Sequence, residues 1–165
     1  MTLIRAIVAA FVVFILQVTV VHRMSVVGAR PDLMLVLLVV FVLDRNPVMA
    51  IIIGFSLGFL QDLGNASFLG MNALAKSLIG YGIARYASGF LPENIFFKSL
   101  LILVASLVSS IIVLNIMSTF NPLTVLVSFF RHSILSAVYS ALVGVVVFLI
   151  LKLFPRRVVR SGGRY

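Results

Sequence analysis

The sequence predicts an all-α integral membrane protein, built as a bundle of six transmembrane helices. Of its 165 residues, 62% are hydrophobic and only 10% are charged, whereas soluble domains are about a quarter charged. A soluble core in a chain of this length cannot hide so much apolar surface. Because lipid does not tolerate open strand edges, and the sequence shows no barrel-like alternation, we expect the apolar runs to be helices.

Six apolar runs define the predicted spans, and each is assigned to one crossing of the hydrocarbon, which takes about 17–25 residues. The runs are Leu3 to Val21, Pro31 to Leu43, Val48 to Leu63, Gly70 to Tyr86, Ile95 to Met117 and Ser133 to Phe154. The first run is kept as a helix because the residues after it make a poor signal-peptide cleavage site. We expect one polytopic domain over residues 1–165, ending in a short basic cytoplasmic tail at 152–165.

Two parts of this division have alternatives. The second and third runs are short and flank Asp44-Arg45-Asn46-Pro47, and joining them into one kinked helix would give five spans. Six are preferred because two charges and an Asn-Pro pair are costly at the bilayer centre. Residues 122–130 either lie in the membrane interface or belong to a last helix that begins at Pro122, and the sequence leaves both readings open.

The net charge of +9 is attributed to membrane orientation rather than to nucleic-acid binding, because the bases lie mostly at the ends of apolar runs. We expect both termini in the cytoplasm, with Arg23, Arg30 and Arg131 as the bases outside. Anionic lipid headgroups attract such bases by about 1 kcal/mol each. The candidate contacts for anionic lipids are Lys152, Arg156, Arg157, Arg160 and Arg164.

The sequence offers no reactive constellation, so we expect no catalytic residue, no metal site and no cofactor. There is no cysteine, and the chain has four acids and two histidines, none of them at a metal-ligand spacing. Asp32, Asp44 and Glu93 are interpreted as helix-end or loop residues, and Asp32 suits the N-terminus of the second helix.

Lys76 differs from the other bases because it lies inside the fourth run, among apolar neighbours. A lysine within a span is usually paired or functional. We predict a structural polar network of Gln61, Asp62, Asn72 and Lys76, in which Asp62 pairs with Lys76. The alternative carries equal weight: the Lys76 amine reaches the outer face, and Asp62 ends its helix separately.

Small residues four positions apart allow helices to approach each other closely. Ala6 and Ala10 in the first run and Gly54 and Gly58 in the third have this spacing. They are candidates for packing within the bundle or for contact with a partner, and packing within the bundle is favoured.

A longer pattern covers residues 31–86. It contains Pro-Asp before a Leu/Val-rich helix, a basic turn with proline, Gly-Phe-x-x-Gly-Phe-x-x-Asp, a small polar loop, Leu-Gly-x-Asn-Ala-Leu and Gly-Tyr. With the chain length and the basic C-terminus, this pattern resembles the rod shape-determining protein MreD family. The matching positions are Pro31, Asp32, Pro47, Gly54, Gly58, Asp62, Leu69, Gly70, Leu74, Gly80 and Tyr81.

The resemblance implies a non-enzymatic, multi-pass component of the bacterial inner membrane that belongs to the elongation (Rod) complex. It implies binding to MreC and, through MreC, a connection to MreB, RodA and a class B penicillin-binding protein, with a role in cell shape and peptidoglycan synthesis. It also implies a six-helix fold like the S components of energy-coupling factor transporters. A substrate-binding S component of a vitamin transporter is therefore the alternative function.

Overall fold

The computed structural model describes residues 3–21, 30–64, 69–87, 94–117 and 133–153. These residues form six helices and no strand, so the all-helical prediction is confirmed for this part of the chain. In chain order the helices are α1 (Leu3–Leu16, continued by a π-helical segment at Gln17–Val21), α2 (Leu33–Val42), α3 (Pro47–Leu63), α4 (Met71–Gly82, continued by a π-helical segment at Ile83–Ala87), α5 (Ile95–Met117) and α6 (Ile134–Leu153).

The break between α2 and α3 is real, so the alternative with one joined helix is wrong. Asn46 caps α3, because its Oδ1 accepts a hydrogen bond from the backbone N–H of Met49 at 2.8 Å. Pro47 takes the first helical position, where its missing N–H has no partner to lose. Residues 122–130, whose placement the sequence leaves open, lie outside the described residues.

Helix α2 is the centre of the fold. Six of its ten residues are buried, and it contacts each of the other five helices. A helix that is apolar all round is expected in such a position. The buried residues are Met34, Leu35, Val36, Leu38, Val39 and Val42. At 1.5 Å per residue, α2 is only about 15 Å long. Such a short helix is tolerated because the neighbouring helices enclose it.

Helices α3 and α4 form the closest pair, because glycines remove the side chains between them. A Cβ atom at Gly54 would overlap the backbone carbonyl of Lys76, and one at Gly58 would overlap the carbonyl of Asn72. At the other end of the pair, a Cβ at Gly80 would lie 2.6 Å from the carbonyl oxygen of Ala50. These contacts fix the position of α4 along α3, and with it the positions of Asn72 and Lys76.

One helix among the described residues is long and apolar enough to cross a membrane. It covers Ile95–Ile116, and its apolar 18-residue stretch has a mean hydropathy of 2.5 and is 22% buried. The apolar parts of α1, α2, α3 and α6 are shorter, at 10–17 residues each.

Candidate functional site: a polar cluster at the start of α2

Asp32 is the N-cap of α2, and its two carboxylate oxygens bind different partners. Oδ1 accepts a hydrogen bond from the backbone N–H of Leu35 at 2.9 Å, which satisfies one of the free donors at the helix start. Oδ2 pairs with Nζ of Lys76 at 2.7 Å. The carboxylate is thus stabilised by the positive end of α2 and by a full positive charge on α4.

The Lys76 ammonium has no contact with solvent: its side chain is 0% exposed, whereas that of Asp32 is 20% exposed. An unpaired ammonium in such a place costs several kcal/mol of desolvation, roughly offset only when a counter-charge lies in good geometry. Asp32 provides that counter-charge. The pair therefore makes the burial of Lys76 possible, rather than adding a large net stabilisation of its own.

Gln17 holds the backbone on both sides of Asp32. Its Oε1 accepts from the N–H of Leu33 at 2.9 Å, and its Nε2 donates to the carbonyl of Pro31 at 3.2 Å. Gln17 begins the π-helical segment that follows α1. Because one planar amide satisfies both backbone groups, α1 fixes the entry of the chain into α2.

Helix α6 supports the same segment through two serines one turn apart. Ser140 Oγ accepts from the backbone N–H of Asp32 at 2.9 Å and donates to the carbonyl of Ser136 at 2.8 Å. The hydroxyl of Ser136 donates to the carbonyl of Arg30. Helices α1, α4 and α6 thus all bind the start of α2. We call the group formed by Gln17, Asp32, Lys76, Ser136 and Ser140 the α2 cluster.

Asp62 has a separate role, because it caps α4 from α3. Its side chain is buried, and its carboxylate accepts from the N–H groups of Gly70, Asn72 and Ala73 at 3.0–3.2 Å and from Asn72 Nδ2 at 2.8 Å. Gly70, the residue before α4, has a φ of 95° and no side chain to cap the helix. Asp62 supplies the acceptor that the helix start itself lacks.

The predicted network is therefore corrected. Asp62 and Asn72 are bonded to each other, but Lys76 pairs with Asp32 and not with Asp62. The alternative of a snorkelling lysine is also wrong, because the Lys76 side chain is fully buried. The two carboxylates bind different parts of the first turns of α4. Asp62 accepts hydrogen bonds from the backbone at the start of the helix, and Asp32 pairs with the side chain of Lys76 one turn further on.

Gln61 lies next to the α2 cluster without joining it. Its buried Oε1 has no hydrogen-bond donor among the described residues. Gln61 lines a half-polar cavity of about 320 Å³ together with Gln17, Asp32 and Ser136. The ends of α1 and α3 and the starts of α2 and α6 therefore meet at one end of the fold.

The other predicted site residues lie elsewhere. Ala6 and Ala10 are half-buried on α1, and Ala10 packs against the core. Gly54 and Gly58 face α4 within the same chain. Lys152 is exposed near the end of α6. The remaining tail bases, Arg156, Arg157, Arg160 and Arg164, lie outside the described residues.

Sequence reasoning missed Gln17, Ser136 and Ser140, and it assigned Asp32 to helix-end solvation alone. The predicted spans did put the start of the second helix and the start of the fourth at the same end of the bundle. That placement made Asp32 as good a candidate partner for Lys76 as Asp62. The repeat of serine at Ser136 and Ser140, one turn apart in an apolar helix, was the signal for the α6 contact.

Within the described residues, no group of three or more histidine, cysteine or acidic side chains is placed to hold a metal ion. Every polar side chain of the α2 cluster binds a neighbouring helix or the backbone at the start of α2. The fold and this cluster define an all-helical protein whose buried polar residues bind its own helices together.

Comparison with known protein families identifies the chain more closely. Residues 1–157 match the family described as rod shape-determining protein MreD, and the chain belongs to that family. It is a membrane protein family with a role in determining rod shape, and it is not known for enzymatic activity. No curated protein and no solved structure matches the chain, so the expected likeness to transporter S components has no support.

Proposed function

We propose that this chain is a non-enzymatic, multi-pass component of the bacterial inner membrane that acts as a scaffold in the elongation (Rod) complex. In this role it binds MreC and helps to regulate cell shape and peptidoglycan synthesis. MreB, RodA and a class B penicillin-binding protein are reached through MreC. The observation that carries the proposal is the match of residues 1–157 to the MreD family.

The distribution of apolar side chains supports a position in the membrane. Every described helix except α2 exposes large apolar side chains, such as Ile52, Phe55 and Phe59 on α3. Soluble monomers rarely expose continuous apolar surfaces of this extent. A helix in contact with lipid, in contrast, must present apolar side chains to it. With α2 enclosed by the other helices, the arrangement suits a bundle that crosses the bilayer several times. The distribution of basic residues along the sequence favours both termini in the cytoplasm.

The use of the polar residues supports a scaffold rather than an enzyme. Asp32, Lys76 and Asp62 hold helices together, and such buried polar contacts fix the relative positions of helices. We expect MreC to bind through its own transmembrane helix on an apolar face of this bundle, where packing supplies most of the affinity.

The function as an S component is not favoured. Residues 64–70 are all that connects α3 to α4, which leaves little chain at that end to enclose a vitamin. Likeness to a solved S component would have been its main support, and no solved structure matches.

Co-purification tests the proposal. The chain is co-expressed with a tagged MreC from the same cell and isolated in mild detergent. We expect it to be retained by full-length MreC and lost when the MreC transmembrane helix is replaced by an unrelated apolar helix of equal length. A chain that is stable alone and is not retained by full-length MreC contradicts the scaffold function.

A further inference from the structure

Helices α4 and α5 leave an apolar groove between them, at the opposite end of α4 from the α2 cluster. The groove has a volume of about 340 Å³, and its lining includes Gly82 and Tyr86 from α4 and its continuation, and Leu101 and Ala105 from α5. Because Gly82 and Ala105 are small, they leave space for the groove between the two helices. The lining offers an apolar surface for a ligand, with almost no hydrogen-bonding groups.

Gly82 shows that this space is open. A Cβ atom there would meet no other atom within 4 Å, whereas a Cβ at Gly54 or Gly58 would overlap the backbone of α4. A glycine inside a helix lowers its stability relative to alanine, and among the described residues no helix contact requires one at Gly82. Gly82 lines the groove, so a larger residue there would begin to fill it.

The length of the groove suits an acyl chain. Its lining on α4 runs from Leu78 to Ala87, which is about 13 Å at 1.5 Å per residue. One leaflet of the hydrocarbon core is about 15 Å thick, half of roughly 30 Å. A partner helix, about 10–12 Å wide with side chains, would instead need a broader surface. This step rests on the proposed position of the bundle in the membrane.

A positive charge lies beside Tyr86, one of the residues that line the groove. Arg85 is exposed, and its guanidinium carbon lies 6.0 Å from the ring centroid of Tyr86. Tyr86 itself is 71% exposed, as expected of an aromatic residue in the headgroup region. An apolar chain in the groove would thus place its polar end beside a cation, and a phosphate is the group that arginine binds best there.

We propose that the groove between α4 and α5 binds an anionic phospholipid, with an acyl chain along Gly82 and Ala105 and the phosphate headgroup at Arg85. This site is distinct from the basic tail, because it combines a chain-binding groove with one placed charge.

Native mass spectrometry of the full chain in detergent tests the site with phosphatidylglycerol and phosphatidylcholine of identical acyl chains. We expect phosphatidylglycerol to bind about fivefold more tightly, the effect of one basic residue near a charged lipid. Arg85→Gln should lower this preference to the level set by the basic tail, and Gly82→Leu should weaken both lipids several-fold. Arg45→Gln is the matched control, an exposed arginine outside the groove, and should keep the preference.

A second measurement does not depend on the folding of Gly82→Leu. The chain has no tryptophan, so Tyr86→Trp gives a single fluorescent reporter in the groove and Phe55→Trp gives one on the exposed face of α3. In the Tyr86→Trp variant, brominated phosphatidylglycerol should quench the indole fluorescence more strongly than brominated phosphatidylcholine. In the Phe55→Trp variant, the two lipids should quench it equally.

Two results overturn the proposal: equal quenching by both lipids in both reporter variants, or equal binding of the two lipids to the unmodified chain. Neither assay contains MreC, so the scaffold function can fail independently.

Discussion

Lys76 on α4 and Asp32 at the start of α2 form an ion pair with 2.7 Å between Nζ and Oδ2, although they are 44 positions apart in the sequence. The pair exists only when α2 and α4 are packed together, and the same aspartate is held by Ser140 of α6. It is therefore a sensitive probe of the packing of the whole bundle.

Removing Asp32 alone should destabilise the protein more than removing both partners of this pair. Asp32→Asn keeps a side-chain acceptor for the Leu35 N–H but leaves the buried Lys76 without a counter-charge, and we expect a loss of about 3–5 kcal/mol. Lys76→Met should cost less, because the Asp32 side chain is 20% exposed. The double variant should lose less than the sum of the two.

Unfolding in detergent, followed by circular dichroism, measures this cycle. The Asp62→Asn/Lys76→Met double variant serves as the comparison, because Asp62 binds the start of α4 and not the amine. Additive losses for the Asp32/Lys76 pair, together with a strong coupling between Asp62 and Lys76, would show that Lys76 pairs with Asp62 and not with Asp32.

Asp62→Ala should loosen the first turn of α4. Three backbone N–H groups and the Asn72 amide lose their shared acceptor, and Gly70 has no side chain to replace it. Hydrogen bonds to a charged group are worth about 1.5–3 kcal/mol each, so we expect the variant to lose at least the value of one such bond. Hydrogen exchange of the Gly70 to Ala73 amides should become faster, whereas exchange in α6 should not change. Unchanged exchange at Gly70 to Ala73 contradicts this capping role.

Glycine to alanine substitutions should separate tight contacts from open space. Gly54→Ala and Gly58→Ala push a methyl group into the α4 backbone, and overpacking of this kind costs about 1–3 kcal/mol. Gly82→Ala is the matched control, because its Cβ meets nothing within 4 Å; it should stabilise the helix by about 0.5–1 kcal/mol. Thermal midpoints in the same detergent measure all three. Equal effects at the three positions would mean that α3 and α4 are not in close contact.

Gln17→Glu tests the support given by α1. The variant keeps an acceptor for the Leu33 N–H but loses the donor to the Pro31 carbonyl, and it places a second carboxylate beside Asp32. Loss of a buried hydrogen-bond partner costs about 1–3 kcal/mol, and the like charge adds to that. Gln17→Met, which removes both hydrogen bonds without adding charge, is the control. The midpoint of Gln17→Glu should rise relative to that of Gln17→Met as the pH falls and the added carboxylate is protonated. If the two midpoints depend on pH in the same way, Gln17 does not face the Asp32 carboxylate.

The helices could be predicted from the sequence because their signals are local. The apolar runs, the Asn46-Pro47 start of α3 and the glycine spacing at Gly54 and Gly58 all depend on residues within a few turns. Each of the six runs coincides with a helix in the described residues, with shifts of a few positions at the ends. The π-helical continuations of α1 and α4 fill the ends of their predicted runs, and the largest remaining difference is at α2, where the predicted run began at Pro31 but Asp32 caps a helix that starts at Leu33.

The partners of the polar residues could not be predicted in the same way. Asp62 is closer to Lys76 in the sequence than Asp32 is. Sequence distance therefore favoured a pair between Asp62 and Lys76 across the hairpin of α3 and α4. Asp62 is instead held by the backbone donors at the start of α4, which no pattern of side chains reveals. Lys76 therefore pairs with Asp32, and this pairing depends on how α2 packs among α1, α4 and α6.

We propose that the buried charges of this MreD-family protein hold a scaffold together and carry out no chemistry. Rod-shape rescue in cells lacking the native protein tests it most directly, with the amount of chain in the membrane measured in parallel. Asp32→Asn should give rounded cells and a reduced amount of chain, and Asp32→Asn/Lys76→Met should restore both. Rounded cells that hold a normal amount of the double variant would contradict the claim, because the charges would then be needed for something other than the fold.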